Sequence, residues 1–122
     1  MPKILVVDDD PDVVEAVTAV LERAGYVVKS AGNRRAGLTK IGVEKPDLII
    51  LDVMMEEPDD GFAMAQELRR DGFTKPILML TSIARVTGLS YGVDASTVPV
   101  DDFVEKPVTP AALLEKVAAL LK

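Results

Sequence analysis

Apolar residues along this chain fall into two alternating rhythms. Lys3–Val7 (KILVV) is a short continuous apolar run, the pattern of a strand covered on both faces of a parallel sheet. Asp10 then offers an N-cap and Pro11 a first helical residue, and Val13, Val14, Val17, Val20 and Leu21 recur at helical spacing until Gly25 stops the helix. Tyr26–Ala31 reads as a second strand. Asn33 to about Glu44 reads as a shorter helix with Leu38 and Ile41 inward, weakened by Gly37 and Gly42.

Pro46-Asp47 turns into Leu48–Leu51 (LIIL), the clearest central strand of the chain, and an acidic loop follows it. Gly61–Arg70 makes a third helix, Pro76–Leu80 (PILML) a fourth strand and Asp102–Glu105 a weak fifth strand whose apolar residues are Phe103 and Val104. Thr109-Pro110 repeats the cap-plus-proline signal ahead of a strong last helix over Ala111–Leu121. Between Ser82 and Asp101 a helix is expected by the alternation. That stretch is rich in Gly, Val and Thr, so a short or irregular fourth helix is predicted there. Strand–helix alternation of this kind argues for an α/β fold with a parallel sheet, and five strands suggest a flavodoxin-like (βα)5 sandwich with order 2-1-3-4-5. No repeat or linker divides the chain, so residues 1–122 read as one domain.

Composition narrows the chemistry more than the fold. With 48% hydrophobic and 28% charged residues the chain is ordinary for a globular domain, and with 4% aromatics its core must rest on aliphatic side chains. Cysteine and histidine are both absent, which excludes thiol chemistry, a Ser-His-Asp triad and the usual zinc sites. The formal charge is −6 and no long basic cluster is present, so direct nucleic-acid binding is not expected. Ile4–Val7 is too short for a signal-peptide core or a membrane span, and the cytoplasm is the expected address.

Ligands of open α/β sheets bind beyond the carboxyl ends of the strands. Those ends carry Asp8-Asp9 on the first strand, Asp52 on the third, Thr81 on the fourth and Glu105-Lys106 on the fifth. In the order 2-1-3-4-5 these strands are neighbours, so three carboxylates, a hydroxyl and an ammonium meet at one edge. Three clustered carboxylates repel one another, and Mg²⁺ with its preference for hard oxygen ligands offsets that repulsion. A metal held by Asp8 and Asp9 leaves the Asp52 carboxylate free to attack phosphorus, with Lys106 and Thr81 supplying charge and a hydrogen bond to phosphoryl oxygens.

The chain resembles a response-regulator receiver domain, chemotaxis-receiver-like, of two-component signalling. The resemblance is carried in order by ILVVDDDP (Ile4–Pro11), PDLIILDVMM (Pro46–Met55), DGF (Asp60–Phe62), PILMLTS (Pro76–Ser82) and DDFVEKPV (Asp101–Val108). It implies that Asp52 is the phosphoacceptor and also belongs to the metal site, that Asp8 and Asp9 are the Mg²⁺-side acids with Asp9 the direct ligand, and that Met54 offers its backbone carbonyl to the metal. By the same resemblance Thr81 is the switch hydroxyl, Phe103 the aromatic that turns with it, Lys106 the family's lysine and Pro107 its following proline, commonly cis. The loop from Asp52 to Gly61 and the span from Thr81 to Lys106 are longer than usual for the family, and Pro58 sits later than its usual proline.

Simpler roles compete at several positions. Asp10 reads as a helix cap rather than a ligand, Glu56, Glu57, Asp59 and Asp60 as a solvated acidic loop, and the Met54 and Met55 side chains as packing. The expectation is a stand-alone receiver phosphorylated by a histidine kinase or phosphotransfer protein, catalysing transfer to its own Asp52 without independent turnover and signalling by protein contact. Met54 and Ile83 lack groups that orient an attacking water, so slow self-dephosphorylation is expected. One alternative is a phosphatase resembling the haloacid-dehalogenase class, for which Asp8-x-Asp10 mimics the nucleophile and acid pair. That family expects a second acidic pair after its lysine, whereas Asp101-Asp102 precede Lys106. A second alternative is a receiver-like docking module that is never phosphorylated. Flavin binding is disfavoured, because an acid pair stands where a flavodoxin has its phosphate loop.

Overall fold

The computed structural model describes residues 2–52, 60–82, 100–106 and 108–121. Its elements run β1 (Lys3–Val7), α1 (Pro11–Arg23), β2 (Val27–Ala31), α2 (Arg34–Glu44), β3 (Leu48–Asp52), α3 (Asp60–Arg70), β4 (Ile77–Ser82), β5 (Asp102–Lys106) and α4 (Pro110–Leu120). The strands form a five-stranded sheet in the order β2-β1-β3-β4-β5, and every pairing is parallel. This is the order expected from the strand–helix alternation.

Alternation along each strand splits the apolar runs into two cores. Leu5, Val7, Ile49, Leu51, Ile77 and Met79 face Met64, Ala65 and Leu68 of α3, with Leu38 and Ile41 of α2 packed against them. Ile4, Val6, Leu48, Ile50, Leu78 and Leu80 face Val17 and Leu21 of α1 and Leu113 and Val117 of α4. The central strands β1 and β3 are thus buried on both sides, which explains why their sequences lack polar alternation.

Local chemistry sets the helix ends. The Asp10 side chain accepts from the Asp12 amide at 2.9 Å with Pro11 at the first turn, and the Thr109 hydroxyl accepts from the Ala112 amide ahead of α4. At the end of α1, Gly25 (φ 98°) donates to Glu22 and Tyr26 donates back to Leu21, a Schellman arrangement. The same arrangement closes α3, where Gly72 (φ 94°) donates to Arg69 and Phe73 to Leu68. Because Tyr26 belongs to this cap, β2 begins one residue later than its apolar run suggests.

Gly37 plays a different part from the one its helix propensity implies. It is the buried residue of α2. A Cβ there would meet Met64 Cε at 2.9 Å and both Val7 Cγ atoms at 3.1 Å, so its missing side chain lets α2 approach β1 and α3 closely. The strand β4 also corrects the hydropathy reading: it runs past the apolar run through Thr81 and Ser82, which pair with Glu105 and Lys106. The irregular helix expected between β4 and β5 lies outside the described residues. No helix among those described is long and apolar enough to cross a membrane.

Candidate functional site

Strand register brings the candidate residues to one edge. Val7 is level with Leu51, so Asp8 follows β1 where Asp52 closes β3. Asp52 is level with Leu80, and Leu80 with Val104. Thr81 therefore stands one rung beyond Asp52 on the next strand, and Lys106 two rungs beyond it on the strand after that. A rung is about 3.3 Å, so both backbones lie within side-chain reach of the Asp52 level.

The three acids predicted from the strand ends do meet. One carboxylate oxygen from each of Asp8, Asp9 and Asp52 lies within 4.8 Å of the others. Asp8 is 1% exposed and Asp52 6%, whereas Asp9 is open to solvent. Asp8 is held from two sides. Its amide donates to the Ala31 carbonyl at 3.1 Å, and its Oδ1 accepts from the Asp10 amide at 2.9 Å. That second bond is illegible in a string of three aspartates, yet it separates their roles: Asp8 is oriented by the chain, Asp10 caps α1 and Asp9 is left at the surface. An open cleft of about 710 Å³ reaches Asp8 and Asp9 from the side of α1 and β2, lined there by Pro11, Glu15, Ser30 and Gly32.

Oxygen donors in this arrangement suit a small hard cation. Bonds of about 2.1 Å in an octahedron place ligand oxygens roughly 3 to 4 Å apart, so the trio needs little closure to share one Mg²⁺, with water completing the shell. Phe103 is half-buried and packs against the core that faces α3. For Thr81 and Lys106 the structure describes the backbone, in β4 and β5. Met54, Ile83 and Pro107, with the metal-carbonyl, water-orienting and cis-proline roles expected of them, lie outside the described residues.

Comparison with known proteins agrees with this geometry. The sequence profile of the response regulator receiver domain matches residues 4–118. The DNA-binding dual master transcriptional regulator RpaA of Synechocystis sp. is 40% identical over 100% of this chain and 50% of its own length. The chain spans about half the length of the curated relatives it matches. Among solved structures, the chemotaxis response regulator CheY4 of Vibrio cholerae superposes with a TM-score of 0.86 at 31% identity, covering 99% of both chains. The response regulator TrrA of Thermotoga maritima, solved in complex with Mg(2+)-BeF, gives a TM-score of 0.84 at 34% identity over 99% of this chain and 100% of its own. These matches support the receiver reading and give the phosphatase alternative none.

Proposed function

The chain belongs to the response regulator receiver domain family of two-component signalling, and on that premise we propose that Asp52 is its phosphoacceptor, served by Mg²⁺ at Asp8 and Asp9. The observation that carries this reading is the meeting of Asp8, Asp9 and Asp52 within 4.8 Å at the carboxyl edge of the sheet. Residues 1–122 act as a single receiver domain, and a histidine kinase or a phosphotransfer protein is the donor. A carboxylate oxygen of Asp52 attacks phosphorus in line, an O–P bond forms, and the P–N bond to the donor histidine breaks with its electron pair returning to the ring.

Each residue has a task in that step. Asp52, fixed at the end of a strand buried on both faces, presents its carboxylate with little orientational freedom. Asp8, already held by the Asp10 amide, would hold the cation together with Asp9 and Asp52, with the Met54 carbonyl as a further ligand. Bound Mg²⁺ supplies neutralisation of charge on the transferring group. Lys106 and Thr81 contact phosphoryl oxygens, and Thr81 with Phe103 passes the modified state to the surface. A −6 charge disfavours direct contact with nucleic acid, so the signal leaves by protein contact, in the cytoplasm.

Incubation with Mg²⁺ and acetyl phosphate adds one phosphoryl mass to the intact chain on this reading, and Asp52→Asn abolishes the adduct. Retention of the adduct by the Asn variant would remove Asp52 from its role. An unphosphorylated docking module has no need of the cation, so a flat Mg²⁺ titration together with no adduct would favour that alternative.

A further inference from the structure

Resting on that reading, we propose that Asp101, at the far end of the sheet from the acids, is a positioning residue for the reaction: it fixes the register of β5 and thereby places Lys106. Among the described residues, β5 is an edge strand joined to β4 alone. Its two apolar side chains point to opposite cores, Phe103 to one and Val104 to the other. A one-residue slip puts Asp102 into the Phe103 slot or Glu105 into the buried Val104 slot, so in each direction hydrophobic pattern opposes the slip at one position alone. Its consequence for the site is severe, because Lys106 moves by about 3.3 Å and turns to the opposite face.

Asp101 adds a second, main-chain specification of register. Its amide donates to the Ile77 carbonyl at 2.9 Å, and its Oδ2 accepts from the Ile77 amide at 2.8 Å. Both main-chain groups of the first residue of β4 are therefore satisfied by one residue, and the carboxylate stands where a ladder carbonyl would otherwise serve. Ile77 is fully buried, so its amide has no ready substitute in solvent. The same Oδ2 accepts from Arg69 Nη2 at 2.8 Å, while Arg69 Nη1 donates to the carbonyls of Phe73 and Lys75. The end of α3, the turn into β4 and the start of β5 are thus tied at one point. Ion pairs as exposed as Arg69–Asp101 contribute little to stability, so a role in register explains this arrangement better than a role in holding the fold.

Asp101→Ala tests the proposal, with Asp101→Asn, Lys106→Ala and the Asp101→Ala/Lys106→Ala double variant beside it. Mg²⁺ affinity should stay near wild type in Asp101→Ala, because the acids proposed to hold the ion stand at the ends of β1 and β3, away from β5. The phosphorylation rate from acetyl phosphate should fall by about 10- to 100-fold, the loss that small misplacements of a positioned group produce. Asp101→Asn keeps an oxygen for the Ile77 amide and should recover most of the rate. In the Lys106→Ala background the second substitution should remove nothing more, since the residue it positions is gone. Cross-strand amide contacts by NMR should lose the Leu80–Val104 pairing in Asp101→Ala.

An unchanged rate, or equal losses with and without Lys106, overturns the proposal, as does a parallel loss of Mg²⁺ affinity. Should Asp101→Ala fail to fold, Arg69→Met weakens the same clamp from α3 and carries the same expectations in milder form. A wild-type chain that takes no phosphoryl group would sink the functional reading instead. The NMR pairing then still decides whether Asp101 sets the register.

Discussion

Removing one charge from the acid trio should stabilise the metal-free protein and destabilise it relative to wild type once Mg²⁺ is present. Asp9→Asn is the informative change, because Asp9 is exposed and its amide counterpart fits the same space. Its carboxylate lies within 4.8 Å of both Asp8 and Asp52. At that distance each repulsion is about 0.9 kcal/mol in the dielectric of water. Physiological salt, with a screening length of about 8 Å, reduces each to roughly 0.5 kcal/mol. Two pairs vanish together, so Asp9→Asn should gain about 1 kcal/mol in EDTA, or about 4 °C in melting temperature.

Mg²⁺ reverses the order by mass action. Each tenfold loss of affinity in the variant forfeits about 1.4 kcal/mol of ligand stabilisation when the cation is in excess. The curves cross once the affinity loss exceeds about fivefold, a modest demand on the proposed assignment of Asp9 as a direct carboxylate ligand. Urea unfolding in EDTA and along a MgCl₂ series at constant ionic strength measures both effects. Glu115→Gln, an exposed acid on α4, is the control and should respond to neither condition. An Asp9→Asn variant no more stable than wild type in EDTA, or one with the wild-type Mg²⁺ increment, refutes the account of the site.

Other consequences can be read on the same preparations. Gly37→Ala meets Met64 and Val7 at 2.9 and 3.1 Å, and overpacking of about 1–3 kcal/mol should outweigh the roughly 1 kcal/mol gained in helix propensity. Urea midpoints should fall for that variant, and an increase would show that α2 has room to move. The hydrogen bond from Lys3, aided by the charges of Lys3, Lys29 and Lys40 and opposed by burial, holds the Glu44 pKa below 4.5. A depressed folded value means that its contribution is present above pH 4.5 and is lost as pH falls through the folded pKa, so Lys3→Gln should flatten the stability curve in that acid range. Once phosphorylated, the protein should lose the group slowly, because Met54 and Ile83 cannot orient water. Fast loss that slows on replacing either residue would contradict this. Amide exchange should be faster in β5, which has one strand neighbour, than in β1 and β3, which have two, and equal protection would contradict that ranking.

Different parts of the molecule were legible in the sequence for different reasons. The central strands announced themselves because burial on both faces leaves no polar alternation, as in Leu48–Leu51. The caps at Asp10-Pro11 and Thr109-Pro110 were legible because each rests on adjacent residues with one local function. Gly37 was misread as a weak point of α2, because propensity describes an isolated helix and the close approach of Met64 and Val7 is tertiary. The polar end of β4 was missed for a related reason. Thr81 and Ser82 are held by pairing with Glu105 and Lys106, which hydropathy does not register. Asp101 stood in plain view within DDFVEKPV, yet its bond to Ile77 joins residues far apart in sequence.

The acid trio was legible because strand ends and strand order together fix a place, even when no local motif does. Its geometry also divides the site mechanically. Asp8 and Asp52 stand at the ends of strands with a neighbour on each side and are almost fully buried. Lys106 belongs to an edge strand with one ladder, anchored besides by Phe103 and Val104 in the two cores and by the ties of Asp101 to Arg69 and Asp102 to Lys116. On the proposed assignment, a phosphoryl group held between Lys106 and the acids would load the β4–β5 ladder more than the central pairings, because β5 has a single strand neighbour among the described residues. On that assignment, the single-ladder strand that makes the lysine hard to position would also let its contact with the phosphoryl group be felt elsewhere in the fold.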